Sequence, residues 1–216
     1  RWVGTETGYG RDTEWSVVPA NNLDQNSISA GSQQQMNIQP AGDMRNKDIG
    51  SRAKLKDAKG LVWYPAETDV SIRPGWFYHA HEDAKVKSPE KLLDIYFHSV
   101  GKNGVLLLNI PPTTAGLIHA VDAENLIAWK ALRDQIFSHN LLQQKGAKLL
   151  KDKNRVQLQE DNMPIWTTKK ENEKLVFEYT TKKPIKFNIL QLGEFIKWGQ
   201  RVEDIEVSVK KNDLWE

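Results

Sequence analysis

Apolar and polar positions divide the chain into stretches of different character. From Val17 to about Ala58 no apolar period of a strand or a helix is sustained, and Asn, Gln, Ser, Gly and charged residues dominate. A loop this long inside a compact domain is uncommon and usually serves as a lid, a binding loop or a disordered segment. The next stretch, LVWYPAETDVSIRPGWFYH, carries Val62, Tyr64, Val70 and Ile72, which favour extended backbone, and is punctuated by Pro65, Pro74 and Gly75. It predicts a strand followed by a turn. Ser88 and Pro89 then open a helix as N-cap and first-turn proline, Leu92, Leu93, Ile95, Tyr96 and Val100 give it an apolar face, and Gly101 and Gly104 stop it. GVLLLNIPP is apolar at consecutive positions from Val105 to Leu108, the pattern of a parallel strand covered on both faces, with polar Asn109 at its carboxyl end. Asp122 is expected to cap a second helix that turns Leu126, Ile127, Trp129, Leu132 and Ile136 toward a core.

Strand, helix, strand, helix is the order of an α/β unit, and chemistry in such folds collects on the loops after the carboxyl ends of the strands. Glu6, the PAETD segment and Asn109 would all lie there. After about Asn140 the pattern changes to short β-rich pieces, Arg155 to Leu158, Leu175 to Tyr179, Ile185 to Leu190 and Ile205 to Val209, separated by Lys, Asn, Asp and Gly. Two domains are therefore expected, residues 1–140 and 141–216.

Composition narrows the function classes. The 30 Lys and Arg nearly balance the 28 Asp and Glu, so no basic field points to nucleic acid, and a neutral or sugar-like ligand fits better. The absence of cysteine excludes a disulfide framework, a thiolate zinc site and a cysteine nucleophile. The longest apolar run, Val105 to Ile110, is too short to span a bilayer, so no membrane insertion is expected. The eight tryptophans offer flat faces that suit sugar rings as well as a core. The opening RWVGTETG, without a methionine, suggests a natural start further upstream, and hence a fragment.

Glycosidic cleavage in most families needs two carboxyl groups, one to protonate the leaving oxygen and one to attack the anomeric carbon or activate water. Glu6 suits the first role: Trp2 and Gly4 precede it, Gly8, Tyr9 and Gly10 follow it, and an aromatic neighbour would favour the protonated acid. Glu14, beside Trp15, is its rival, and a surface glutamate in a flexible loop is the alternative for both. Glu67 and Asp69 project to one face of an extended segment, either to accept bonds from sugar hydroxyls or to cap Arg73 in a turn. Trp76 offers an apolar wall to a sugar or to the core. His79 and His81, followed by Glu82 and Asp83, lack a third ligand at recognisable spacing, so no metal and no other cofactor is expected. The β-rich end and its tryptophans also leave open a non-catalytic carbohydrate-binding module.

Three ordered blocks, RWVGTETG, WYPAETDVSIRPGWFYH and KSPEKLLDIYFHSVGKNGVLLLNIPPTTAGLIHAVD, resemble the later part of the catalytic domain of glycoside hydrolase family 29, the α-L-fucosidases, in the branch that prefers α-1,3 and α-1,4 linked fucose. The likeness runs from Arg1 to about Phe137. It implies the C-terminal part of a (β/α)₈-like barrel, and FNILQLGEFIKWGQRVEDIEV resembles the opening of the jelly-roll-like β-sandwich that follows it. It further implies retaining hydrolysis of terminal fucose from a fucosylated oligosaccharide or glycoconjugate, in the periplasm or outside the cell. The acid/base then falls on Glu6 and the fucose-lining aromatic on Trp76. Glu67, Asp69 and Arg73 lie where the aglycone sugar would be read. The aspartate nucleophile and the fucose-binding histidines are implied to lie upstream of Arg1, so His79 and His81 do not take that role, and this chain alone is expected to be inactive. One position departs from the pattern: the family usually has Asn where Thr5 stands.

Overall fold

The structure, a computed structural model, describes residues 1–20, 45–170, 173–202, 204–211 and 214–216. It comprises two compact units, one formed by Arg1–Asp134 with Gly199–Glu216 and the other by Gln135–Trp198. Residues 21–44 of the expected long loop lie outside the described residues, but its flanks are structured. Strand β1 (Val17–Ala20) pairs antiparallel with β2 (Gly60–Trp63), and the short helix α1 (Arg52–Leu55) is capped by the Ser51 side chain. Trp15, Val18 and Ile49 are buried together with Val62 packed against them, so isolated apolar residues in a polar stretch build a small core. Gly50 closes that core: a Cβ there would lie 2.2 Å from the Trp15 Cβ and 2.5 Å from the Val17 carbonyl oxygen.

The first unit is mixed α/β around parallel strands. Strand β3 (Glu67–Ser71) runs parallel to β4 (Val105–Asn109), in register from Glu67 beside Val105 to Ser71 beside Asn109. On the other edge of β3, Trp2 forms a parallel bridge with Glu67, supported by Val3 N–H to Glu67 O at 3.1 Å and Glu67 N–H to Arg1 O at 2.6 Å. Helix α2 (Pro89–Ser99) connects β3 to β4, with the Ser88 hydroxyl accepting from the Lys91 N–H and Leu92 and Ile95 buried. Asn103 ends the helical turn that follows in the left-handed conformation, which suits asparagine. Thr68 and Val70 are buried on the face of β3 opposite Glu67 and Asp69.

Two sequence expectations are corrected here. Strand β4 is not covered on both faces among the described residues: Val105 and Leu107 are 47% and 53% exposed. These two share the open face with Glu67 and Asp69, while Leu106 and Leu108 share the Thr68 and Val70 face. Nor does Asp122 cap the second helix. Helix α3 (Ala120–Phe137) begins before it, the His119 ring nitrogen accepts from the Val121 N–H at 3.4 Å, and Asp122 is buried inside the first turn with a different partner. Ile127, expected to face a core, is exposed.

In the second unit β5 (Ala147–Leu149) pairs antiparallel with β8 (Tyr179–Thr181), and β6 (Arg155–Glu160) forms a hairpin with β7 (Met163–Thr168). Asp161 and Asn162 both take positive φ at the two-residue turn, which matches the twist of the flanking strands. The Arg155 guanidinium lies over the rings of Trp166 and Phe177, at 5.1 and 5.3 Å from their centroids, and donates to the Val176 and Leu150 carbonyls. Of the β pieces expected, Arg155 to Leu158 lies in β6, and Leu175 to Tyr179 reaches pairing only at Tyr179. Ile185 to Leu190 and Ile205 to Val209 carry no strand; instead β9 (Lys210–Lys211) and β10 (Leu214–Trp215) form a short pair in the first unit.

Candidate functional site

Three parallel segments end side by side, and each delivers one polar or aromatic residue. The Arg1–Val3 segment leads into the loop of Glu6, β3 into the loop of Trp76, and β4 ends at Asn109. The Glu6 loop is pinned on both sides to β3, by Val3 N–H to Glu67 O and by Gly8 N–H to Asp69 O at 3.0 Å. Gly8 has φ of +76°, and a Cβ there would lie 2.8 Å from Ile95 Cγ2 and 2.9 Å from Val70 Cγ1, so glycine lets the loop settle against the helix–strand layer. Further on, the Gly10 N–H donates to His98 O at 2.7 Å, and the Tyr9 hydroxyl bonds Asp94 and Lys91 of α2. Between these ties Glu6 is exposed, and its Oε2 accepts the Trp76 indole N–H at 3.1 Å. Asn109 Nδ2 donates to the Trp76 carbonyl at 3.0 Å and lies 3.1 Å from Ser71 Oγ.

Asp69, on the open face of β3, accepts the Trp2 indole N–H through Oδ1 at 2.7 Å. Glu67 shares that face one pleat further back. Neither caps Arg73, so that alternative is not what the fold adopts. The Arg73 side chain points inward instead and is wholly buried. It donates to Asp122 Oδ2 and Asp83 Oδ1, both at 2.9 Å, and to the His79 carbonyl at 3.3 Å, with the guanidinium 4.6 Å from the Tyr78 ring centroid. Burial alone would lower its pKa, but bonds to the two carboxylates raise it, so the charge is retained. Arg73 thus braces the loop that carries Trp76 and has no solvent face from which to meet a sugar.

Glu14 is equally committed. It is 1% exposed and accepts from the Arg11 backbone N–H at 2.9 Å, from Arg11 Nε and Nη2 at 2.8 and 2.7 Å, and from Arg1 Nη2 at 3.2 Å. Burial pushes its carboxyl up, but the bonds and charges of Arg11 and the charge of Arg1 outweigh that and hold it below the usual carboxylate range. A buried carboxylate saturated with donors has no route to a substrate proton. The His79 and His81 rings stand 5.6 Å apart on the exposed turn after Trp76. The ion pairs of Arg73 had no sequence signal, since Asp83 and Asp122 become its neighbours only by folding, and Asn109 was legible as the polar end of its strand but not through its bond to Trp76. Trp2 was visible only as an aromatic next to the glycine-rich loop.

Loops at the carboxyl ends of parallel strands are where α/β enzymes collect their chemistry, and Glu6, Trp76 and Asn109 lie there. The chain belongs to the alpha-L-fucosidase family, whose sequence profile matches residues 8–129. A rice protein provisionally named alpha-L-fucosidase 1 is 34% identical over 227 residues, covering 100% of this chain and 39% of its own length. Alpha-L-fucosidase 1 of Arabidopsis thaliana is 32% identical over 219 residues, covering 98% of this chain and 39% of itself. The chain therefore spans 39% of the length of these relatives. The crystal structure of a glycoside hydrolase 29 family member from an unknown rumen bacterium is similar over 72% of this chain and 23% of its own, with a TM-score of 0.50 at 33% identity. Among the described residues no helix is long and apolar enough to cross a membrane.

Proposed function

We propose that this chain is part of a retaining exo-α-L-fucosidase that removes terminal α-1,3 or α-1,4 linked fucose from glycans, with Glu6 as its acid/base. The observation that carries the reading is the exposed Glu6 carboxylate, held by Trp76 at the carboxyl ends of parallel strands; family membership supplies the substrate class. In the first step an aspartate carboxylate attacks the anomeric carbon while protonated Glu6 gives its proton to the departing glycosidic oxygen, leaving a fucosyl ester. In the second, the Glu6 carboxylate takes a proton from water as that water displaces the aspartate and frees fucose.

The Trp76 ring serves as an apolar wall for the sugar, and Glu67 and Asp69 face the aglycone side. Arg73 contributes to recognition through the loop it braces. Residues 1–140 belong to a (β/α)₈-like barrel and residues 141–216 open a β-sandwich, in an enzyme of the periplasm or the cell exterior. The aspartate is supplied from upstream of Arg1, so residues 1–216 alone do not turn over.

The test is fucose release from a fucosylated oligosaccharide by the full-length protein, followed by proton NMR. The α anomer should appear first, and the purified 1–216 chain should release none. The β anomer appearing first would overturn retention. Turnover by 1–216 would overturn the division of the site, and binding without release by the full-length protein would turn the reading toward a carbohydrate-binding module.

A further inference from the structure

We infer that Trp76 and Asn109 are positioning residues for Glu6, joined in one relay that aims its carboxyl group at the leaving oxygen; this rests on the reading of Glu6 as acid/base. Glu6 needs such a device. Its loop is fixed to β3 at Val3 and Gly8, but the side chain itself projects into solvent. A general acid works only from within hydrogen-bond reach of the atom it protonates, and small misplacements slow the reaction steeply. Among the described residues the carboxylate has one hydrogen-bond partner, the Trp76 indole N–H at 3.1 Å.

Trp76 in turn sits on an exposed loop. It is 38% exposed, Phe77 beside it is more exposed still, and the space around a Cβ at Gly75 is empty to 4 Å. Packing does not hold this loop, so polar ties must. Arg73 braces the part of the loop beyond Trp76 through the His79 carbonyl and Asp83; at Trp76 itself the tie is Asn109 Nδ2, which donates to the Trp76 carbonyl at 3.0 Å and contacts Ser71 Oγ at 3.1 Å. A backbone carbonyl only accepts, so the amide orientation is fixed: the nitrogen faces Trp76. Asn109 itself ends β4, whose ladder with β3 is continued by Ile72 N–H to Asn109 O at 2.9 Å. The rigid sheet thus reaches Glu6 through Asn109, the Trp76 backbone and the Trp76 indole.

The relay uses the indole N–H, whereas a wall for the sugar uses the ring face, so the two roles separate by mutation. Trp76→Phe keeps an aromatic face and deletes the donor. Asn109→Asp keeps the shape but presents an acceptor to the Trp76 carbonyl. In the full-length protein, kcat/KM should be measured on a fucosylated oligosaccharide, whose leaving group needs a proton, and on an activated aryl fucoside, whose leaving group does not. Asn109→Asp should lose about ten- to hundred-fold on the oligosaccharide and less than about three-fold on the aryl fucoside, and Trp76→Phe, which also touches the sugar wall, should lose about ten-fold more on the oligosaccharide than on the aryl fucoside. The double variant should be no worse than the poorer single one, because the two residues act in series. Equal losses on both substrates, or no loss on either, from an active parent would overturn this inference alone. A parent that releases no fucose would overturn the fucosidase reading with it.

Discussion

Glu6 and Glu14 lie close in the chain, each near a tryptophan, yet they meet opposite surroundings. Glu6 faces solvent with one indole donor, whereas Glu14 is enclosed by Arg1 and Arg11. The glycines and aromatics around Glu6 made its loop legible in the sequence. The arginine cage was not legible, because neighbours in sequence reveal charge but not which side chains turn inward. Glu14→Gln should lower stability by about 1–3 kcal/mol in thermal or denaturant unfolding, since it takes the negative charge from between the Arg1 and Arg11 guanidiniums. The pH dependence follows from the same contact. The folded Glu14 pKa lies below the unfolded one, so its stabilisation is fully present above the ordinary carboxylate range and fades as pH falls through the folded value. Unfolding curves of the parent should therefore weaken in acid more than those of Glu14→Gln; parallel acid profiles would show that the cage contributes nothing.

At the scale of elements, α2 and β4 were readable as a helix and a parallel strand, while the single strand expected before the turn divides into β2 and β3, which pair in different sheets. Ser88 and Pro89 start the helix, Leu92 and Ile95 fall on its buried side, and consecutive apolar residues mark β4. Legibility failed where tertiary partners decide. Asp122 looks like a helix cap, but Arg73 draws its carboxylate inward and His119 takes over at the helix start. The β7 strand was missed because Pro164 argues against a strand, although Ile165, Trp166, Thr167 and Thr168 favour extended backbone and the hairpin turn at Asp161 and Asn162 is regular. The junction of Glu6 loop, strand and helix depends on Gly8. Gly8→Ala should lower stability by about 1–3 kcal/mol and depress the Tm, because its positive φ disfavours a side chain and the Cβ would press on Ile95 and Val70. An unchanged Tm would mean that the loop relaxes away from α2.

For the molecule as a whole, the family match over residues 8–129 covers the parallel α/β core, and the open face of β3 and β4 displays Val105 and Leu107 beside Glu67 and Asp69. The sequence blocks made the family visible, because they carry the loops at the strand ends. The buried ion pairs that hold those loops carry no comparable pattern. The proposed activity turns on Glu6 moving the proton in fucoside hydrolysis. The most direct measurement is kcat/KM for Glu6→Gln against the parent in the full-length protein, on a fucosylated oligosaccharide and on an activated aryl fucoside. The variant should lose about a hundred- to ten-thousand-fold on the oligosaccharide and far less on the aryl fucoside. Equal loss on both, or no loss on either, would contradict the account.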